Sequence, residues 1–169
     1  GGVELDLRRL PSGSNPVAFN GVLPRGPFDF ALDDPNIAKL PERERRVVFA
    51  YLNNKDVQSQ PRPHARRLII DVYDALVDAS KYDEPAHVQE AWLRKNLPKI
   101  MTLLEPAMAE RGELPESARN KKARSYTWLF EDVRPGLRAA WSGLDHVIAI
   151  GAVGKVFVPF LLRRLDAST

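Results

Sequence analysis

The chain has 169 residues, of which 44% are hydrophobic and 28% are charged. This composition is typical of one globular domain and excludes a disordered chain, a collagen-like rod and a coiled coil. Cysteine is absent, which excludes a disulfide framework, a zinc ribbon and thiol catalysis. No apolar run is long enough for a membrane span, and the first residues lack a secretion signal. We therefore expect one cytoplasmic domain over residues 1–169, with residues 1–2 interpreted as a cloning remnant, and no membrane partner.

The first half of the chain is predicted to form short strands joined by turns. Residues 28–32 have a strict period of two, with large apolar side chains at every second position. Residues 47–52 form a compact apolar run, and residues 67–73 are β-branched at their centre. Each pattern is typical of a strand. Residues 33–36 favour a turn or a helix cap, and residues 41–46 can form a helical turn that begins at a proline.

The middle of the chain is predicted to be helical over about residues 83–112. Asp83 is a plausible N-cap, and Gly112 is a plausible end. Pro98 and Pro106 must break or bend the segment, so we expect two helices or one bent helix. Apolar residues recur along it at helical spacing, at Leu93, Leu97, Ile100, Leu104 and Met108.

The last third of the chain is predicted to contain a polar loop at 113–125, a short helix near 135–142, and two strands at 144–150 and 156–162. The predicted fold class is therefore α+β. We expect a mixed or antiparallel sheet built from both halves of the chain, with the helical segment at 83–112 inserted between them.

Charge is distributed unevenly along the chain, which has a formal net charge of +3. Residues 71–90 contain six acids and one lysine and so carry a charge of −5. Two stretches, 62–67 and 119–124, are basic and contain no acid. Two acid-free basic stretches in one small domain favour a polyanionic partner.

The motifs of common enzymes and metal sites are incomplete. Residues 151–156 lack the first glycine and the Ser/Thr of a phosphate-binding loop. Glu84, His87 and Glu90 share a helix face but are too few for a metal site. Residues 15–18 begin like the Asn-Pro-Pro-aromatic motif of adenine methyltransferases but lack its aromatic residue. We expect no catalytic residue, no metal and no cofactor in this chain.

Several stretches, taken in order, resemble one family. Residues 15–30 resemble the opening strand and turn of the target-recognition regions of type IIG-like DNA methyltransferases. Residues 48–57 resemble their P-Y-L-N-G-x-D-hydrophobic segment, with Asn54 in place of the usual glycine. That segment is followed in the family by a strand that ends in an acid, as at 66–71 here. Residues 134–149 are similar to the R-x-x-L-x-x-A-hydrophobic-x-G-L segment near the end of the same region.

The resemblance implies a role in DNA recognition. In that family an N-terminal Rossmann-like domain binds S-adenosylmethionine and methylates adenine N6, and a C-terminal α+β region grips the duplex and reads its sequence. Restriction-modification enzymes and phage-defence methyltransferases share this arrangement. The chain is then a target-recognition domain excised from a larger enzyme. Its partners would be double-stranded DNA and the methyltransferase domain of the same parent chain, which would bind the S-adenosylmethionine.

To read a DNA sequence, a protein needs side chains with paired hydrogen-bond donors and acceptors that face the base edges. Lys and Arg side chains on phosphates fix the register of the protein on the duplex. The base-reading candidates are Asn53, Asn54, Gln58, Gln60, Arg62 and His64. The phosphate-binding candidates are Lys55, Arg66, Arg119, Lys121, Lys122 and Arg124. Aromatic residues of the last third are expected to pack in the core rather than stack on bases: Tyr126, Trp128, Phe130 and Trp141. The alternative function is a protein–protein docking module of a bacterial defence complex, with the acidic stretch 71–90 as its contact surface.

Overall fold

A computed structural model describes residues 27–52, 65–141, 146–150 and 159–163. Its architecture is α+β, as the sequence predicted. The helices are α1 (Pro35–Ala38), α2 (Glu42–Arg45), α3 (Tyr73–Asp78), α4 (Ala86–Asn96), α5 (Pro98–Gly112), α6 (Lys121–Ser125) and α7 (Pro135–Trp141). The strands are β1 (Asp29–Ala31), β2 (Val48–Tyr51), β3 (Arg67–Ile70), β4 (His146–Ile150) and β5 (Pro159–Arg163).

The main sheet is antiparallel and has the strand order β1-β3-β2. The central strand β3 places Leu68 opposite Phe30 of β1 and Ile69 opposite Phe49 of β2. Ile69 and Ile70 are buried, with exposures of 4% and 0%. Since neighbouring residues of a strand point to opposite faces, β3 is covered on both faces at this point. The three strands predicted within residues 28–73 are confirmed.

The last two strands form a separate antiparallel pair, β4 with β5. In the described residues, each half of the chain therefore contributes its own sheet, whereas we expected one sheet from both halves. Pairing within one half of the chain closes shorter loops than pairing between the halves. Within the first half, β1 nevertheless pairs with β3 and not with β2, which is the next strand along the chain.

Helices α4 and α5 contribute a row of buried side chains to the core. Leu93, Leu97, Ile100 and Leu104 are at most 1% exposed, which confirms the predicted apolar face. Pro98 occupies the first turn of α5, where its missing N–H costs nothing, and Pro106 lies inside a helix that continues to Gly112.

The N-cap predicted at Asp83 is wrong. Helix α4 begins at Ala86, and Pro85 precedes it without a side-chain cap. The residues before it form a separate turn, in which the Glu84 N–H donates to the Lys81 carbonyl at 3.1 Å. Because of this turn, α4 begins two residues later than an N-cap at Asp83 would predict.

Two buried charged side chains connect the layers of the core. Glu44 of α2 is 1% exposed, and its Oε2 accepts the backbone N–H of Ile100 in the first turn of α5 at 3.0 Å. A carboxylate is favourable there because the first N–H groups of a helix lack partners and its dipole is positive at that end. Arg111 of α5 is 3% exposed; it donates to the Leu129 carbonyl and lies 5.4 Å from the Phe28 ring centre.

Candidate functional site

The base-reading candidates lie outside the described residues, as does one phosphate-binding candidate. These are Asn53, Asn54, Gln58, Gln60, Arg62, His64 and Lys55. The strands on either side of them are described: Tyr51 of β2 pairs with Arg67 of β3. The chain therefore leaves and re-enters the sheet at one point, and the candidates belong to the connection between two neighbouring strands. Arg66, at the end of that connection, is exposed.

The remaining four phosphate-binding candidates lie within residues 119–124, which we call the cationic segment. A loop was predicted here, but Lys121–Ser125 form helix α6, so that prediction is wrong. The side chain of Asn120 donates to the Pro115 carbonyl at 2.9 Å, and the Ser117 hydroxyl accepts the Asn120 N–H at 3.2 Å. Ala123 is 7% exposed and packs inward. These local bonds and one buried methyl group fix the segment as a helical turn.

The cations of this segment remain accessible. Arg119 is 70% exposed and lies 4.0 Å from Glu131, and Arg124 lies 3.9 Å from an almost fully exposed Glu116. Lys121 forms no ion pair with any residue whose side chain is described. Exposed ion pairs are worth at most about 1 kcal/mol, so these arginines can exchange their carboxylates for a phosphate.

A buried glutamine connects α4 to the part of the chain that carries the cationic segment. Gln89 is 0% exposed. Its Nε2 donates to the carbonyls of Tyr82 at 2.6 Å and Glu84 at 2.9 Å, and its Oε1 accepts the indole N–H of Trp128 at 3.3 Å. Because Trp128 lies three residues after the end of α6, this network holds the chain that follows the cationic segment against the core.

Replacing Gln89 with leucine is expected to lower the free energy of unfolding by about 2 to 3 kcal/mol. The substitution preserves volume but leaves a buried indole N–H and two carbonyls without partners. Urea denaturation of the two proteins measures the difference. The control is His87→Leu, at an exposed position of the same helix, which should change stability by less than about 0.5 kcal/mol. Equal effects of the two variants would contradict this account of the network.

The aromatic residues near the cationic segment pack in the core, as predicted. Trp128 and Phe130 are each 3% exposed, and the Phe130 ring meets Phe28 edge-on at 5.4 Å. Tyr126 is half-buried and packs edge-on against Trp128 at 6.1 Å. The side chain of Trp141 lies outside the described part of the chain.

The acidic stretch 71–90 begins with a buried ion pair. Arg138 of α7 contacts Asp71 through Nη2 and Asp74 through Nη1 at 3.3 Å. Its Nε donates to the Val133 carbonyl at 2.6 Å, and its guanidinium lies 4.5 Å from the Tyr73 ring centre. Burial raises the pKa of the Asp71 carboxyl above its ordinary value, and the Arg138 charge opposes that shift.

Two further acids of this stretch have cationic neighbours. Glu84 lies 3.8 Å from Lys81, and Glu90 lies 2.8 Å from Arg94. His87 is exposed between them. Among the residues with described side chains, no group of three or more His, Asp or Glu residues is arranged to hold a metal ion.

A second cationic region was not found from the sequence. A hollow of about 260 Å³ is lined by Asn36, Lys39, Leu40, Lys99, Thr102 and Leu103. Its two lysines belong to the end of α1 and the start of α5, and neither is part of a basic run. No local pattern in the sequence could have indicated that they share one hollow.

The chain matches no protein-family model, no curated protein and no solved structure. Within the part of the chain that is described, every helix lacks the length or the apolar character needed to cross a bilayer.

Proposed function

We propose that this chain recognises specific sequences of double-stranded DNA for a larger S-adenosylmethionine-dependent N6-adenine DNA methyltransferase of a restriction-modification or phage-defence system. The observation that carries the proposal is the cationic segment: four cations within six residues, three of them on a helical turn that is anchored to the core. Cations held on a fixed turn lose less conformational freedom on binding a phosphate backbone than cations on a mobile loop.

The proposal assigns different tasks to different parts of the chain. The cationic segment and Arg66 contact phosphates and fix the register, and the connection at 53–64 reads base edges. The partners are the duplex and the methyltransferase domain of the same parent chain. That domain supplies the S-adenosylmethionine site and the catalytic residues, so this chain acts without a cofactor of its own.

The charges of the acidic stretch favour DNA recognition over the docking alternative. Four of its six acids have cationic neighbours within the chain: Asp71, Asp74, Glu84 and Glu90. These pairs leave Asp78 and Asp83 as the acids without an ion pair to a residue with a described side chain. Lys81 is already counted in the net charge of −5, so the cations from outside the stretch, Arg138 and Arg94, reduce that charge by two, to −3. This partial neutralisation, together with the burial of Asp71, weakens the case for an acidic docking surface.

Selection from a random pool tests sequence recognition directly. Duplexes of random sequence that are retained by the chain through several rounds should converge on one motif. The control is a variant in which Lys121 and Lys122 are both glutamine, which should retain less DNA but enrich the same motif. A retained pool without any motif would contradict the proposal.

Alanine at Asn53 or Arg62 is expected to reduce discrimination at one base position by about 1 to 3 kcal/mol, because a bidentate contact to a base edge carries that much selectivity. Competition between duplexes that differ at single base pairs measures it. The matched control is Lys121→Ala, which should weaken binding to all duplexes equally. The same loss on every duplex for Asn53→Ala and Arg62→Ala would assign these two residues to phosphates instead.

A further inference from the structure

The hollow between α1 and α5 combines cations with an apolar floor. Lys39 follows α1, and Lys99 lies in the first turn of α5; both are exposed. Leu40, which is 4% exposed, and Leu103 form the floor. Neither lysine forms an ion pair with a residue whose side chain is described.

A third cation lies beside the hollow. Arg45 of α2 donates through Nη2 to the carbonyls of Ala38 at 3.0 Å and Leu40 at 3.2 Å. These bonds hold its guanidinium at the end of α1, next to Lys39. The positive charge there is therefore fixed by the fold.

The carboxylates of Asp34 and Glu44, near the hollow, already accept hydrogen bonds from backbone N–H groups. No acid lines it. Asp34 accepts the backbone N–H groups of Asn36 and Ile37 as the cap of α1, and Glu44 is buried under the first turn of α5. The hydroxyl of Thr102 donates to the Pro98 carbonyl at 3.1 Å. The donors left for a ligand are the two ammonium groups and the amide of Asn36.

We propose that this hollow binds one phosphodiester group of the DNA backbone, as a contact separate from the cationic segment. This inference rests on the proposed function. Two ammonium groups and one amide donor suit a tetrahedral anion with one negative charge, and the volume of about 260 Å³ is large enough for such a group. A phosphate contact in addition to those of the cationic segment would help to fix the orientation of the domain on the duplex.

The test uses the whole chain and the double substitution Lys39→Gln with Lys99→Gln, which we call the hollow variant. Loss of one phosphate contact should reduce the slope of log affinity against log salt by about 0.9, and should weaken duplex binding about fivefold at roughly 0.15 M salt. The charge-matched control is Lys81→Gln with Arg94→Gln, because those cations already have carboxylate neighbours. The control should bind like the wild-type chain. Unchanged affinity and slope in the hollow variant would overturn the inference and leave the proposed function standing.

Two further measurements separate this inference from the proposed function. In NMR spectra, replacing chloride by inorganic phosphate at constant ionic strength should shift the amide signals of Asn36, Lys39 and Lys99 in the wild-type chain but not in the hollow variant. If the wild-type chain binds no duplex, the proposed function fails, and the NMR shifts alone then decide whether the anion site exists. Absence of these shifts would overturn the anion site as well. If the wild-type chain sediments with phosphatidylserine vesicles and the hollow variant does not, the assignment to DNA is overturned in favour of lipid phosphate.

Discussion

Replacing Arg138 with alanine is expected to lower the free energy of unfolding by about 3 to 5 kcal/mol relative to the wild-type chain. The side chains of Arg138 and Asp71 are only 10% and 9% exposed, so removing the arginine leaves a buried carboxylate without its main counter-charge. The variant also loses the hydrogen bond to the Val133 carbonyl and the contact with the Tyr73 ring. Urea denaturation at neutral pH measures the change.

Arg94→Ala is the control for this variant. Arg94 also contacts two carboxylates, those of Glu90 and Glu105, but it is 46% exposed. Exposed pairs contribute little, so this variant should lose less than about 1 kcal/mol. A loss for Arg138→Ala as small as that for Arg94→Ala would contradict the assignment of a buried ion pair.

The pH dependence of stability provides an independent check of the same pair. The pKa of Asp71 is raised from 3.8 in the folded chain, so the folded state binds more protons than the unfolded state between the two values. The extra proton binding of the folded state stabilises the fold. This stabilisation by protonated Asp71 is complete below pH 3.8 and is lost as the pH rises through the pKa of Asp71 in the folded chain. Without Arg138 the pKa of Asp71 rises further. The stability difference between variant and wild type should therefore narrow as the pH is lowered towards about 4.

Reversing the charge of Lys121, Lys122 and Arg124 to glutamate is expected to weaken duplex binding at least about 100-fold at roughly 0.15 M salt, equally for all sequences. Each lost phosphate contact should also reduce the slope of log affinity against log salt by about 0.9. The stability of the fold should change little, because these side chains lie at the surface and the ion pair described for them, between Arg124 and Glu116, is long at 3.9 Å. Fluorescence anisotropy with labelled duplexes measures affinity and slope.

The control for the reversal keeps the charge and changes the side chains. Lys121→Arg, Lys122→Arg and Arg124→Lys together should bind within about twofold of the wild-type chain, because a phosphate contact depends mainly on charge. If the reversed variant is folded and binds DNA with unchanged affinity and slope, the cationic segment has no part in binding.

The helices and strands that were predicted correctly are each indicated by a pattern within their own stretch of sequence. The spacing of Leu93, Leu97, Ile100 and Leu104 defines a buried helix face without reference to other parts of the chain, and Pro135 marks the start of α7 in the same local way. Helix α6 was missed because its five residues contain only one buried side chain, Ala123. Its stability comes from the bonds of Ser117 and Asn120 outside the helix.

The long-range features of the site could not be predicted. Asp71 and Arg138 are 67 residues apart, and the sequence of 71–90 shows an excess of acids without showing that Arg138 contacts two of them. Lys39 and Lys99 share a hollow because the end of α1 and the start of α5 lie side by side in the fold. A charge count along the chain detects neither pairing, since both depend on how the helices pack.

The salt dependence of duplex binding by the wild-type chain tests the central claim most directly. If the cationic segment, Arg66 and the hollow contact the phosphate backbone, log affinity should fall linearly with log salt, with a slope steeper than about −3. The measurement needs one labelled duplex and anisotropy titrations at several salt concentrations. Such a slope is the result that DNA recognition predicts. No binding at low salt, or a slope near zero, would contradict it.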